Sequence, residues 1–135
     1  MAVQLSTTVR NARLDAIETA IGTSAVLKIR TGAQPANCAT ADSGTVLATL
    51  TLPSDYLAAA SSGSKAKSGT WEDASADATG TAAHWRLYAS DGTTCHAQGT
   101  VTATGGGGDL TVDNTSFASG QAFTITAWSF TDGNA

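Results

Sequence analysis

The 135 residues carry a formal net charge of −4 and only 13% charged side chains, an acidic balance that excludes the basic stripe a nucleic-acid binder needs. Leu, Ile, Val and Phe together supply 22 residues, so the core is thin and padded with Ala, yet the low charge leaves no repulsion to hold the chain open. No apolar run approaches the ~20 residues of a bilayer span, no basic-then-apolar leader opens the chain, and two cysteines are too few for a disulfide scaffold, so the expectation is one soluble domain made in the cytoplasm.

Residues 5–21 read as one helix, with Ser6 or Thr7 as N-cap and Gly22 at the position that ends it. Val9, Ala12, Ala16 and Ala20 form a stripe of small residues, and Leu14, Ile17 and Ile21 a bulky stripe beside it. Asn11, Asp15, Glu18 and Thr19 form the polar face. An apolar arc this broad predicts a helix that packs across the mouth of the following domain or docks on a neighbouring subunit. Its candidate interface residues are Val9, Arg10, Arg13, Leu14, Ile17 and Ile21. The chain divides at Gly22 into a helical arm, 1–22, and a β-domain, 23–135.

After Gly22 the text turns to short Thr-, Ala- and Gly-rich strands. Residues 25–30 alternate Leu27 and Ile29 with Lys28 and Arg30, which predicts one buried and one solvated face. A turn-rich loop, 31–44, follows, then a strand at 45–52 stopped by Pro53. Residues 56–60 are expected to make a helical turn, and 65–72 a strand that brings Trp71 inward. The clearest hairpin joins 82–88 to 95–104. A three-residue loop with Gly92 left-handed would place Trp85 and Leu87 on one face with Cys95, Ala97 and Gly99. His84, Arg86, Tyr88, His96 and Gln98 would then share the other face, and a one-residue slip would scramble that partition. Residues 105–108 read as a flexible glycine tip, and 110–112 as a short strand. The long last strand, 121–131, starts with Phe123 and Ile125 inward, but Trp128 and Phe130 fall on the opposite parity. Either it bulges near Ala127 or both its faces are buried. Seven or eight such strands predict a mainly β fold, an antiparallel β-sandwich or jelly roll with one N-terminal α-helix; a closed barrel is the alternative.

Catalytic patterns are weak. The glycine tip lacks the Lys-Ser/Thr of a phosphate loop. Cys95 and His96 are adjacent on a strand and so point apart, as do Glu72 and Asp73. Two histidines without a third ligand do not make a zinc site. The chain is therefore read as a non-enzyme with no cofactor and no metal. Arg86, Tyr88 and His96 on the polar sheet face, with Trp128 and Phe130 on the last strand, are its remaining candidate interface residues. Charge is uneven: residues 1–30 are net +2, while 87–135 hold Asp91, Asp109, Asp113 and Asp132 and no Lys or Arg. That asymmetry would steer complementary surfaces together.

The leader LSTTVRNARLDAIETAIG, then VLKIRTG, VLATLTLPSDY, HWRLYASDGTTCHAQGTV and the terminal FASGQAFTITAWSFTDGNA resemble, in texture and order, small virion proteins of tailed bacteriophages, in particular head decoration or cement proteins. The resemblance implies a jelly-roll-like domain on the outside of a capsid that clamps neighbouring major capsid proteins. It implies self-association as a dimer or trimer, the trimer slightly favoured, and a virion location, with no nucleic-acid or membrane partner. It brings no catalytic residues. Neck, tail or fibre components share the texture, and a carbohydrate-binding β-sandwich is a further alternative.

Overall fold

The computed structural model describes residues 3–133. Helix α1 (Thr7–Ile21) precedes β1 (Val26–Arg30), β2 (Val46–Thr51), β3 (Ser64–Ala66), β4 (Trp71–Asp73) and β5 (Gly80–Thr81). They are followed by β6 (His84–Tyr88), β7 (Cys95–Ala103), β8 (Leu110–Val112), β9 (Ser116–Phe117), β10 (Phe123–Ile125) and β11 (Ser129–Thr131). The fold is mainly β with one helix near the N-terminus, and its curled, antiparallel-rich sheet is consistent with the expected β-sandwich. Among the described residues no helix is long and apolar enough to cross a membrane.

The helix begins and ends where its caps predict. Ser6 is extended and its hydroxyl accepts the Val9 N–H at 3.3 Å. Gly22, at φ +88°, donates its N–H to the Glu18 carbonyl, a conformation that a side chain would strain. Its orientation overturns part of the wheel reading. The polar face turns toward the domain: Asn11 Oδ1 accepts the Gly63 N–H at 2.9 Å, and Asp15 Oδ1 accepts the Ala60 N–H at 3.0 Å. The physical reason is Lys65, only 2% exposed, whose ammonium sits 2.8 Å from Asp15 and 3.0 Å from Glu18. A buried cation and two backbone donors need acceptors, and residues 11, 15 and 18 supply them from one side of the helix. Leu14 and Ile21 are buried beside them, leaving Val9, Ala12, Ala16 and Ala20 exposed.

The main sheet runs β2-β1-β6-β7-β8. Registers place Leu50, Leu27, Leu87 and Ala97 in one row and Ala48, Ile29, Trp85 and Gly99 in the next, which forms the core face. The opposite rows, Lys28–Arg86–Gln98 and Arg30–His84–Thr100, were expected to be solvated. The loop 31–44 covers Arg30, His84, Arg86 and Gln98 instead, so that all five β6 residues are buried, while Lys28 is half-buried and Thr100 stays exposed. The hairpin pairs Leu87 with Ala97 and Trp85 with Gly99, as the partition argument required. Gly92 is left-handed at φ +69°, but the loop is one residue longer than expected, closed by the Ala89 N–H to the Thr94 carbonyl at 3.0 Å. The compensating bulge falls between Leu87 and Tyr88, pairs Tyr88 with Cys95, and leaves His96 as the extra residue.

Three other expectations change. Residues 56–60 form no helical turn; Tyr56 and Leu57 are buried, and Leu57 bridges to Lys67. β8 lies parallel to β7, because the glycine tip folds back tightly, with the Gly108 N–H on Thr102 Oγ1 at 3.0 Å. The last strand breaks at 126–128: β10 pairs with β4 and β11 with β3, which resolves the parity switch at Trp128.

The sheet is curled, and its β2 edge leads on to a second, smaller sheet. β2 continues toward β4 through the Thr49 N–H on Asp73 Oδ2 at 2.9 Å and the Asp77 N–H on the Leu47 carbonyl at 2.7 Å. β4 carries β10, but among the described residues β10 pairs with no strand on its far side and β8 pairs only with β7. An open seam lies between β8 and β10. Its floor rests on Gly99: a Cβ there would lie 2.6 Å from Trp85 Cζ2 and 2.7 Å from Nε1. Trp85 cannot retreat, since its ring is stacked edge-on against Trp128 at 4.6 Å. Gly99→Ala is expected to cost about 1–3 kcal/mol by overpacking, read as a lower urea midpoint at unchanged slope; an unchanged midpoint would show that the indole has room to move.

Candidate functional site

Two constellations gather the chain's polar chemistry. The first lies under the 31–44 loop. Arg86, 1% exposed, is ion-paired through Nη1 to Asp42 and donates Nη2 to the carbonyls of Asn37 (3.1 Å), Cys38 (3.2 Å) and Thr40 (3.1 Å). Asp42 also accepts Arg30 Nη2 at 2.8 Å and the Tyr88 hydroxyl at 2.8 Å. Burial works to raise the Asp42 carboxyl, but the bonds from Tyr88 and Arg86 and the charge of Arg30 outweigh it and hold the group below its ordinary range. His84 is fully buried, with Nδ1 2.9 Å from the Gly32 carbonyl; burial pushes its pKa down, so the ring is held neutral. Gln98 Nε2 donates to the Pro35 carbonyl at 2.7 Å. The bonds from Arg86, Arg30, His84 and Gln98 fasten the loop to the sheet, while the Nε groups of Arg30 and Arg86 are buried without a partner. This is an internal lock, built on side chains that are themselves buried.

The second is the open seam. It forms a groove of about 890 Å³. One wall is the continuous run 109–114 and the other the run 121–131, with Trp85 and Ala97 reaching it from the sheet. Aromatic rings dominate the base: Trp128 touches Trp85 at 4.6 Å, Trp71 at 5.4 Å and Phe130 at 5.8 Å between centroids. Asp109, Asp113, Asn114 and Gln121 stand on the walls, and no Lys, Arg or His lines it. The indole N–H groups of Trp85 and Trp128 and the Gln98 Oε1 are buried without a hydrogen-bond partner. A groove built this way favours neutral or cationic, partly apolar occupants and disfavours anions.

The predicted site residues are dispersed. Trp128 and Phe130 are brought together in the seam. Arg86 and Tyr88, expected on an accessible sheet face, are 1% and 0% exposed beneath the loop, so a partner can touch them only by displacing it. His96 is exposed at the bulge, away from His84's buried position. Leu14 and Ile21 are buried in their own chain, and Ile17 packs on the core. Arg10 donates to the Asp132 carbonyl at 3.1 Å and Arg13 pairs with the Asp132 carboxylate at 3.2 Å, both tying α1 to the C-terminal segment; Val9 remains exposed at 45%. Sequence reading missed Asp42, an acid inside a turn-rich loop with no pattern around it, and the wall residues of the seam. The parity break at Trp128 was the signal that pointed there. Among the described residues no three His, Cys, Asp or Glu side chains converge to hold a metal.

The two tyrosines give this interior an alkaline signature. Burial, then the charge of Glu18, pushes Tyr56 up to about 12, and burial, then the hydrogen bond to Asp42, pushes Tyr88 up to about 12. A folded pKa above the unfolded value of about 10 means stability is full below about pH 10 and is lost as pH rises through the folded values. Phenolate absorbance is therefore expected to appear in one step together with loss of native circular dichroism. Phenolate forming near pH 10 with the fold intact would contradict the buried assignment.

No protein-family model, curated protein or solved structure matches this chain.

Proposed function

We propose that this chain is a structural component of a tailed-bacteriophage virion, of the head decoration or cement type, which binds the outer surface of the head across neighbouring major capsid proteins as a dimer or trimer. The open seam is the observation that carries the reading. Among the described residues β8 and β10 each have one edge that pairs with no strand, and aromatic side chains line the groove between them. An extended segment of a partner laid in the seam would find backbone donors and acceptors on both sides and side-chain pockets below. The locked 31–44 loop and the docked helix fit a passive, rigid binder, and repetition over a lattice lets a modest contact stabilise a shell.

The test adds the purified protein to expanded heads that lack it and measures co-sedimentation. Ala127→Arg places a bulky cation at an exposed position on the seam wall, where no hydrogen bond is lost. Binding by the parent chain and loss of at least tenfold in affinity by Ala127→Arg, with an unchanged melting point, is the expected result. Failure of the parent chain to bind heads sinks the decoration reading, and immunolabelling of virions then separates neck, tail or fibre locations.

A carbohydrate-binding role is the second reading, favoured by one specific observation. Trp85 and Trp128 line the same groove as Asp109, Asp113, Asn114 and Gln121. Rings that stack on a pyranose face, beside carboxylates and amides that bond its hydroxyls, recognise neutral sugars. Saccharide-dependent change in tryptophan fluorescence, abolished by Ala127→Arg, is its readout.

A further inference from the structure

Cys38 and Cys95 meet across the edge of the Arg86 lock. Cys38 belongs to the covering loop and Cys95 to β7, 57 positions apart, and their Sγ atoms lie 2.6 Å from one another. A disulfide needs about 2.05 Å, so closure asks for well under ~1 Å of movement. Both partners are held in place by other contacts. The Cys38 carbonyl accepts Arg86 Nη2 at 3.2 Å. Cys95 is aimed by the hairpin bulge: residues i and i+2 of an unbroken strand share a face, so without the extra residue His96 it would point with Ala97 toward the core. With the bulge it pairs with Tyr88 and turns to the loop side.

We propose that Cys38 and Cys95 are a built cross-linking site, at which an intrachain disulfide bolts the 31–44 loop to β7. The oxidant is a low-molecular-weight disulfide. One protein thiolate attacks it, forming a mixed disulfide and releasing one small thiol. The second cysteine loses its proton and displaces the other small thiol. Two protein thiols and one small disulfide become one protein disulfide and two small thiols, with two electrons passed to the oxidant. A reducing cytosol keeps the pair open, and an oxidising exterior closes it. Burial, then the hydrogen bond with Cys38, pushes the Cys95 thiol up, so closure quickens as pH rises.

Closure makes the loop's attachment covalent, where otherwise it hangs on Asp42 and a set of backbone carbonyls. The folded wild-type protein is incubated with oxidised glutathione, and intact mass is read without reductant. The expected product is a monomer lighter by two hydrogen atoms, with a cross-linked peptide containing both cysteines. Its thermal midpoint should exceed that of the reduced protein by on the order of 10 °C, and Cys38→Ser and Cys95→Ser should each abolish that shift. A persistent glutathione adduct, an unchanged mass or a disulfide-linked dimer would overturn the proposal, and each is read on the wild-type chain whether or not the variants fold.

Discussion

Asp42→Ala is expected to lower the stability of the reduced protein by about 3–5 kcal/mol, the range seen when a buried ion pair loses one partner. The cost comes from the cations left behind. Arg86 and Arg30 are 1% and 6% exposed, and Asp42 is the carboxylate paired with both. Remove it and two guanidiniums are buried without a counter-charge, while Tyr88 loses the acceptor for its hydroxyl. Asp42 itself is partly exposed, so the loss of its own solvation adds little. Set against a typical total of 5–15 kcal/mol, the change removes a large share of the fold's margin. His96→Ala, at an exposed bulge, should stay within about 0.5 kcal/mol and serves as the control. The measurement is urea denaturation under reductant. A double-mutant cycle sharpens it: in an Arg86→Met background the same Asp42→Ala change should cost less, because one stranded cation is already gone. Equal costs in both backgrounds would mean that Asp42 and Arg86 are not coupled and that the loop is held by its backbone alone. In the oxidised protein the loop stays tethered, so it should also cost less there if the cysteines close.

Why this lock was hidden in the sequence is instructive. Binary patterning located the inner rows of the sheet correctly, because Leu27, Ile29, Trp85 and Leu87 alternate without conflict and Gly92 fixes the turn. The same patterning assigned Arg30, Arg86 and Tyr88 to water, since period-two alternation cannot tell a solvated face from one roofed by a loop. The helix failed in the same way. Its wheel displayed the stripes, but which stripe faces inward was decided by Lys65, some 50 positions downstream of Asp15. A buried cation far along the chain outranked the small-residue stripe, whose alanines contribute little by burial. The seam was half legible: Trp128 and Phe130 on the wrong parity announced that the last strand could not run straight. What they could not announce was the parallel return of β8, which depends on Gly106 and Gly108 packing against Thr102 at distances where a Cβ would collide.

The largest effect of all is expected from removing residues 1–22. If the helix were a detachable arm, the chain 23–135 would keep its denaturation midpoint. The packing argues for collapse instead. Ile21 belongs to the core, Leu14 is 3% exposed and Ile17 packs against the same cluster. Losing the apolar burial that two such side chains supply costs about 1.5–3 kcal/mol each. Lys65 then keeps only the Ala58 carbonyl at 2.9 Å after losing both Asp15 and Glu18, a buried charge stranded at a cost of about 3–5 kcal/mol. Gly63 and Ala60 lose their acceptors as well, and Arg10 and Arg13 no longer tie down Asp132. The sum is comparable with the whole stability of an ordinary domain, so the truncated chain should show no cooperative unfolding transition at 25 °C. Lys65→Met in the truncated chain separates the two contributions: it removes the stranded charge but not the exposed apolar surface, and should restore part of the transition. A truncated chain that unfolds at the parent midpoint would return α1 to the role of an arm and leave its exposed stripe, Val9 to Ala20, free to be its grip on a neighbour.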